Sequence, residues 1–218
     1  CGHGGLEWTK VKDMIISYLQ DIDMHILVFE PDSSTSSKAL SEKEKEFMAQ
    51  ENITQILPSD PKYPSCLRGR SAFNIFCRGD IRMLDAENLI SIFLESNASN
   101  REFNALLSCL DQMKDANVTL VLGLNNSIEM DLLEACLSRK IKVILVLPCG
   151  ILKLKMNAKI KTLWDESFVT IISLQSPASS WNKFSSARTI RFRLNISKKL
   201  LINTMNESSL RYYLAELR

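Results

Sequence analysis

Three arginines in the C-terminal third of the chain have the side-chain chemistry best suited to binding phosphate. Arg188, Arg191 and Arg193 lie close together in the sequence, and the planar guanidinium group donates two hydrogen bonds to the oxygens of one phosphate. If residues 189–194 form a strand, side-chain alternation places Arg191 and Arg193 together on one face, opposite apolar side chains. Lys183 would widen that cationic surface. We therefore predict a phosphate-binding surface in this segment.

The formal net charge of +2 conceals a local excess of positive charge. Residues 167–206 contain no Asp or Glu, although they include the three arginines and three lysines, so the rest of the chain is net negative. Such a stretch on a near-neutral protein is typical of a surface that meets phosphates. A solvated basic face without a partner has the same composition. Trp181 and Phe184 provide rings that either stack on a nucleic-acid base or pack in the core.

Two glycines follow apolar runs that read as buried strands. Gly123 comes after residues 119–122 and Gly150 after residues 143–147, with a helical apolar pattern between them. This order predicts a βαβ unit, whose ligands bind outside the carboxyl ends of the strands. The candidate phosphate contacts at the two turns are Gly123, Asn125, Asn126, Ser127 and Gly150. Turn geometry and helix capping account for the same residues equally well.

Alternating strand and helix patterns predict an α/β protein with a Rossmann-like, doubly wound, mainly parallel sheet. The predicted strands are 53–57, 73–78, 89–94, 119–122, 143–147, 169–173 and 199–202, and the predicted helices are 42–50, 101–113, 127–137, 158–164 and 208–217. Residues 1–40 are expected to form a small N-terminal extension or subdomain, with a helix at 8–19 and a strand at 24–29. Residues 41–218 form the main domain.

Several classes of protein are disfavoured by composition. No apolar run reaches the roughly 18 residues of a membrane span, and the N-terminus lacks a secretory signal, so we expect a cytoplasmic protein without a membrane partner. Six cysteines without a CxxC pair indicate reduced thiols. His3 and His25 lie near no nucleophile turn, which argues against hydrolysis by a histidine-activated nucleophile. We expect no metal and no cofactor.

Short segments from residue 41 onward form an ordered series. They are 56–67 (ILPSDPKYPSCL), 76–80 (FCRGD), 122–129 (LGLNNSIE), 146–151 (VLPCGI), Phe184 with the arginines that follow it, and 207–210 (ESSL). In order and spacing the series resembles the D-x-x-YP-x-x-L, G-D, S-G-L-A-x-G-I-D, V-L-G-C-G-L, F-x-x-R-N-R and S-G-S-L motifs of the DNA-processing protein family DprA, also called Smf. Each motif alone is weak, and the resemblance rests on their order.

The chain departs from that family at the turns. Residues 93–97 stand where the family has V-G-S-R, so a glycine that would let the backbone approach a phosphate is missing. Ser127 replaces a glycine, Glu129 an aspartate and Leu133 a histidine. The S-E pair after a later strand becomes Ser173 and Leu174. These differences indicate a divergent member.

The resemblance implies a non-enzymatic protein that binds single-stranded DNA without sequence preference, in DNA uptake or recombination. It also implies transfer of the strand to a RecA-type recombinase, and often a homodimer. Its DNA contacts would be the arginines, Lys183 and the two glycine turns. The alternatives are a domain that senses a nucleotide or nucleotide-derived ligand, and a degenerate scaffold for a protein partner. An enzyme like the related phosphoribohydrolases is disfavoured, because their P-G-G-x-G-T stretch is missing. We expect no winged helix and no strand after the last helix.

Overall fold

The computed structural model describes residues 40–68, 73–94, 96 and 98–203. The chain divides after Leu40 into two units, and the elements described here belong to the second. The helices predicted at 8–19 and 208–217 and the strand predicted at 24–29 lie outside the described residues.

Within the described part of the chain, one sheet contains seven strands. They are β1 (Ile53–Ile56), β2 (Ile75–Arg78), β3 (Leu89–Leu94), β4 (Thr119–Leu122), β5 (Lys142–Leu147), β6 (Val169–Ser173) and β7 (Lys199–Asn203). Their order across the sheet is β1-β2-β6-β5-β4-β3-β7. The last five run parallel to one another, whereas β2 is antiparallel to both β1 and β6. The predicted α/β, mainly parallel sheet is confirmed.

Helices cover both faces of this sheet. They are α1 (Glu42–Gln50), α2 (Asn100–Asp115), α3 (Ser127–Ser138), α4 (Ala158–Leu163) and α5 (Lys183–Ile196). Helix α2 packs beside α3 and α3 beside α4, whereas α5 packs on β3 and β5. Right-handed crossovers place α2, α3 and α4 on one face, and the reversed step from β6 to β7 places α5 on the other. Among the described residues, no helix is long and apolar enough to span a lipid bilayer.

The helices begin at side chains that satisfy otherwise unpaired backbone N–H groups. Ser41 accepts a hydrogen bond from the Glu44 backbone N–H, and Glu44 accepts one in return from the Ser41 backbone N–H, at 3.1 Å. Ser99 begins α2 with the same capping box. Asparagine at positions 126, 157 and 182 caps the other three helices. Because each such cap contributes about 1 kcal/mol, local sequence fixes where the helices start.

The core consists of apolar side chains on both faces of the parallel strands. Every residue of β4 and β6 is buried. On the face covered by α5, Phe192 and Ile196 pack with Val121, Ile144 and Ile172. Strands buried on both faces appear in the sequence as continuous apolar runs, which is why their bounds were predictable.

The prediction of a strand at residues 189–194 is wrong, because this segment lies inside helix α5. The buried residues Ser185, Thr189, Phe192 and Ile196 recur at intervals of three and four, which is a helical stripe. The β-branched and aromatic residues in the segment favoured a strand locally. The Asn182 cap and the packing of the stripe on the sheet outweigh that preference.

Two of the cysteines are predicted to be unreactive in the native protein. Burial raises the pKa of both the Cys77 and Cys136 thiols to about 12, so at pH 8 almost none of either thiol is in the reactive thiolate form. Cys109 is exposed. We expect iodoacetamide at pH 8 to alkylate Cys109 and to leave Cys77 and Cys136 unmodified until denaturant is added, as measured by peptide mass spectrometry. Rapid modification of native Cys136 would contradict its place in the core.

Candidate functional site

The loops that follow β3, β4, β5 and β6 lie along one edge of the sheet, because these strands are parallel. The loop after β5 is joined to the loop after β6 by two backbone hydrogen bonds. Gly150 N donates to Ser179 O at 2.8 Å, and Leu152 N donates to Pro177 O at 3.0 Å. Helix α5 begins directly after the second of these loops. The edge is therefore the place at which the predicted site residues can meet.

Arg193 lies in the interior at this edge and has no exposed surface. Its Nη1 is 3.3 Å from Glu129 Oε1, and its Nη2 donates to Ile92 O. The guanidinium carbon lies 4.0 Å from the centroid of the Phe93 ring. The prediction that Arg191 and Arg193 project together is wrong, because side chains two positions apart on a helix point about 200° apart around its axis. Arg193 therefore has a structural role.

The carboxylate of Glu129 is enclosed by the turn that precedes α3. Its Oε2 accepts hydrogen bonds from Asn125 N at 2.8 Å and from Asn125 Nδ2 at 3.2 Å. Asn126 Oδ1 accepts from Glu129 N at 2.9 Å, and Asn126 Nδ2 donates to Leu94 O at 2.8 Å. Both asparagines thus hold the turn together, and Asn126 caps the helix, as one alternative from the sequence predicted. The Asn125 backbone N–H proposed for a phosphate already binds a carboxylate.

Gly123 lies so close to neighbouring side chains that there is no space for a Cβ at this position. It does not adopt a left-handed φ, and a Cβ at this position would lie 2.5 Å from Arg193 Nη1 and 2.6 Å from Asn125 Nδ2. Real Cβ atoms do not approach other atoms so closely. The absent side chain leaves the space through which the arginine reaches Glu129.

Gly150 is buried, and it too is required for packing. A Cβ there would lie 2.2 Å from both Ser176 O and Pro177 O, and the Gly150 N–H already binds Ser179 O. Its neighbours are backbone atoms of the joined loop, so they cannot move aside as a flexible side chain would. The structure therefore places Gly150 at the predicted edge of the sheet but uses it to join two loops.

The remaining cationic residues of α5 lie on its outer side. Lys183 and Arg191 are exposed, and Arg188 is half-buried with its guanidinium 5.5 Å from the centroid of the Phe73 ring. Two large rings lie beside them, with Trp181 57% and Phe184 67% exposed. We call this set the α5 surface; its members are Trp181, Lys183, Phe184, Arg188 and Arg191. The sequence was compatible with either a core position or a surface position for both rings, and in the structure both are at the surface.

A second basic segment, which the sequence patterns considered above did not indicate, lies at the same edge. Lys153 and Lys155 are exposed in the loop that follows β5, which is hydrogen-bonded to the loop before α5. Residues 135–164 contain no Asp or Glu but include seven Lys or Arg. Charge counting extended beyond residues 167–206 would have found them. Asn125 and Ser127 are also exposed at this edge.

A separate open groove of about 800 Å³ lies beside β1 and β2. It contains several residues of the family-like motifs, whose contacts are structural. Tyr63 accepts a hydrogen bond from Phe73 N at 3.1 Å, and Gly79 has a φ of +100°, which favours glycine. Arg82 donates to Asp80 and holds the pKa of that carboxyl below its ordinary value. In the part of the chain that the structure describes, no three His, Cys, Asp or Glu side chains cluster as a metal site requires.

Comparison with known proteins identifies relatives for this arrangement. The model of a family described as DNA recombination-mediator protein A matches residues 54–209. DNA processing protein A from Streptococcus pneumoniae has a similar structure, with a TM-score of 0.62 and 16% identity over 98% of this chain and 81% of that one. DNA processing protein A from Helicobacter pylori, described for its single-stranded DNA binding mode, has a TM-score of 0.59 and 14% identity over 75% of each chain. No curated protein sequence matches.

Substitution of Gly150 tests whether this glycine serves packing. We expect Gly150→Ala to lower the free energy of unfolding by about 1–3 kcal/mol, because the new methyl group overlaps two backbone carbonyls. The measurement is urea denaturation without any ligand, with Ser127→Ala at an exposed position of the same edge as the control. Unchanged stability of Gly150→Ala would contradict the packing role.

Proposed function

The chain belongs to the DNA recombination-mediator protein A family, and on that premise we propose that it binds single-stranded DNA without sequence preference through the α5 surface. The family assigns it a role in DNA processing. The Helicobacter pylori relative is described as binding single-stranded DNA, and the α5 surface provides the chemistry for the same ligand in this chain.

The charge distribution on α5 is the observation on which the proposal rests. The helix contains four Lys or Arg residues and no carboxylate. Arg193 is directed inward, where Glu129 neutralises it. The other three, Lys183, Arg188 and Arg191, lie at the surface and contribute positive charge to the outer side of the helix. A polyanion gains affinity from such a surface by releasing the counterions of its phosphates.

The helix also aligns an aromatic ring with two guanidinium groups. Phe184, Arg188 and Arg191 are separated by four and three residues, so they lie on one side of α5. Phe184 and Arg191 are about 10 Å apart along the axis, at 1.5 Å per residue. A base stacked on the ring would leave its flanking phosphates near the arginines. Stacking of this kind tolerates every base, which fits binding without sequence preference.

Aromatic rings beneath the surface hold Arg188 in position. Its guanidinium lies over the Phe73 ring, and Phe73 packs edge-on against buried Phe192 at 5.5 Å between ring centroids. A cation held over a ring retains its charge and loses rotational freedom before it meets a ligand. Arg188 is therefore preorganised for a phosphate contact, which lowers the entropy that binding costs.

Lys153 and Lys155 extend the positive surface along the same edge of the sheet. They belong to the loop that is hydrogen-bonded to residues 177–179, just before Trp181. A single strand bound along α5 could continue over this loop. On the basis of the family, we also propose that the protein forms a homodimer and transfers DNA to a RecA-type recombinase. We further propose that it is located in the cytoplasm.

Removal of two α5 cations should weaken binding. We expect the double variant Lys183→Ala/Arg191→Ala to bind a fluorescent oligo-dT roughly 5- to 150-fold more weakly, since two solvent-exposed hydrogen bonds to phosphate, about 0.5–1.5 kcal/mol each, are removed. The slope of log affinity against log salt should also become shallower by about 0.7 for each phosphate that the variant no longer neutralises. The measurement is fluorescence anisotropy at several salt concentrations.

The matched control is Lys43→Ala/Lys45→Ala, which removes the same charge from exposed positions on α1. Its affinity for oligo-dT should stay close to that of the unmodified protein. Equal weakening in the two double variants would show that net charge, and not the α5 surface, determines binding.

The exposed ring of Phe184 should contribute by stacking. We expect Phe184→Ala to weaken oligo-dT binding by roughly 5- to 100-fold, and Phe184→Tyr to retain it, because a base stacks on either ring. Quenching of tryptophan fluorescence on DNA addition that is lost in Trp181→Phe would report a contact at the neighbouring ring. Full affinity of Phe184→Ala for DNA, with an unchanged melting temperature, would remove stacking from the proposal.

A further inference from the structure

The carboxylate of Glu129 lies in a strand-to-helix turn, the kind of turn at which Rossmann-like folds bind the phosphate of a ligand. The position is the turn between a parallel strand and the following helix, at the carboxyl end of β4 and the N-terminus of α3. Glu129 is 2% exposed and Arg193 is fully buried. The side chain thus provides the negative charge that the helix N-terminus and the guanidinium would otherwise take from a ligand.

We propose that Glu129 is a built-in anion that fills the phosphate position of this turn and prevents nucleotides from binding there. This role of Glu129 is separate from DNA binding and does not depend on it. Glu129 thereby determines which ligands the edge of the sheet accepts. Nucleotide phosphates are excluded from the interior of the turn, and anions are left to the exposed basic residues outside it.

The donors around the carboxylate are those that a phosphate would require. Oε2 accepts one backbone N–H and one side-chain amide N–H, both from Asn125, and Oε1 faces the guanidinium of Arg193. A ligand phosphate could reach these donors only by displacing the carboxylate or by sharing the buried site with it. Two negative groups in one buried site are strongly unfavourable.

Steric crowding excludes the same ligand. The position of a Cβ at Gly123 is already within 3.2 Å of Glu129 Oε2 and closer to Arg193 and Asn125. The turn therefore has no room for a phosphate group beside the carboxylate. Because Glu129 is also held by its own backbone bond to Asn126, the side chain is anchored at both ends.

Removal of the carboxylate should convert the turn into an anion site. In Glu129→Ala, Arg193 would lose the carboxylate of Glu129 and would lie beside a space the size of the deleted side chain. Small carboxylates and phosphate match both that charge and the vacated hydrogen-bond donors. In Glu129→Gln the space stays filled by a neutral group of the same shape, so no anion can enter.

The experiment compares melting temperatures of the full chain in sodium chloride with those in sodium formate or sodium phosphate of equal ionic strength. We expect Glu129→Ala to melt roughly 6–20 °C below the unmodified protein, as loss of one partner of a buried ion pair predicts. Formate should restore part of the loss saturably. Glu129→Gln should be destabilised without restoration, and the unmodified protein should show no specific effect of either anion.

A second measurement keeps the proposal testable if Glu129→Ala does not fold. In the unmodified protein, addition of AMP or inorganic phosphate should leave the amide NMR signals of Asn125 and Glu129 unshifted. Saturable shifts of these two signals would overturn the proposal. It would also be overturned by a folded Glu129→Ala variant that formate and phosphate fail to stabilise.

Discussion

The ion pair between Arg193 and Glu129 joins the two helical layers of the protein. Arg193 extends from α5 on one face of the sheet and Glu129 from α3 on the other, and they meet at the end of β4 where Gly123 has no side chain. Burial of two charges costs desolvation free energy, so the pair is a weak source of net stability. Its effect is to fix position, because neither charge can leave its partner without a large penalty. Together with the buried stripe of α5, this contact fixes the rotation of the helix about its axis.

That rotation decides which side chains of α5 reach solvent. With Arg193 directed inward, Phe184, Arg188 and Arg191 lie on the outer side, and Phe192 packs beneath them. The same contact closes the turn after β4, so that an anion meets the protein at the outer surface. One buried interaction thus separates the interior, where charge is neutralised, from the surface proposed for DNA.

Much of the fold was predictable because buried parallel strands are continuous apolar runs. The bounds of the strands at residues 89–94, 119–122 and 169–173 were predicted correctly, because each is a short, largely apolar run of the length of a buried strand. Helix α5 was not predicted, because the six residues 189–194 are too few to distinguish the alternation of apolar side chains in a strand from the apolar repeat of a helix. The burial of Arg193 depends on Glu129, which is distant in sequence, and no local pattern reports such a pairing. Charge counting found the right segment of the sequence but could not identify which arginine is internal.

The division of the α5 arginines into one internal and two surface residues is tested most directly by a matched pair of variants. Arg191→Met and Arg193→Met each remove one guanidinium from the same helix, and each is measured for melting temperature and for oligo-dT affinity. We predict that Arg191→Met loses affinity at an unchanged melting temperature, whereas Arg193→Met melts at a lower temperature and binds normally while folded. The opposite assignment, with stability reduced at Arg191 and affinity reduced at Arg193, would contradict the account.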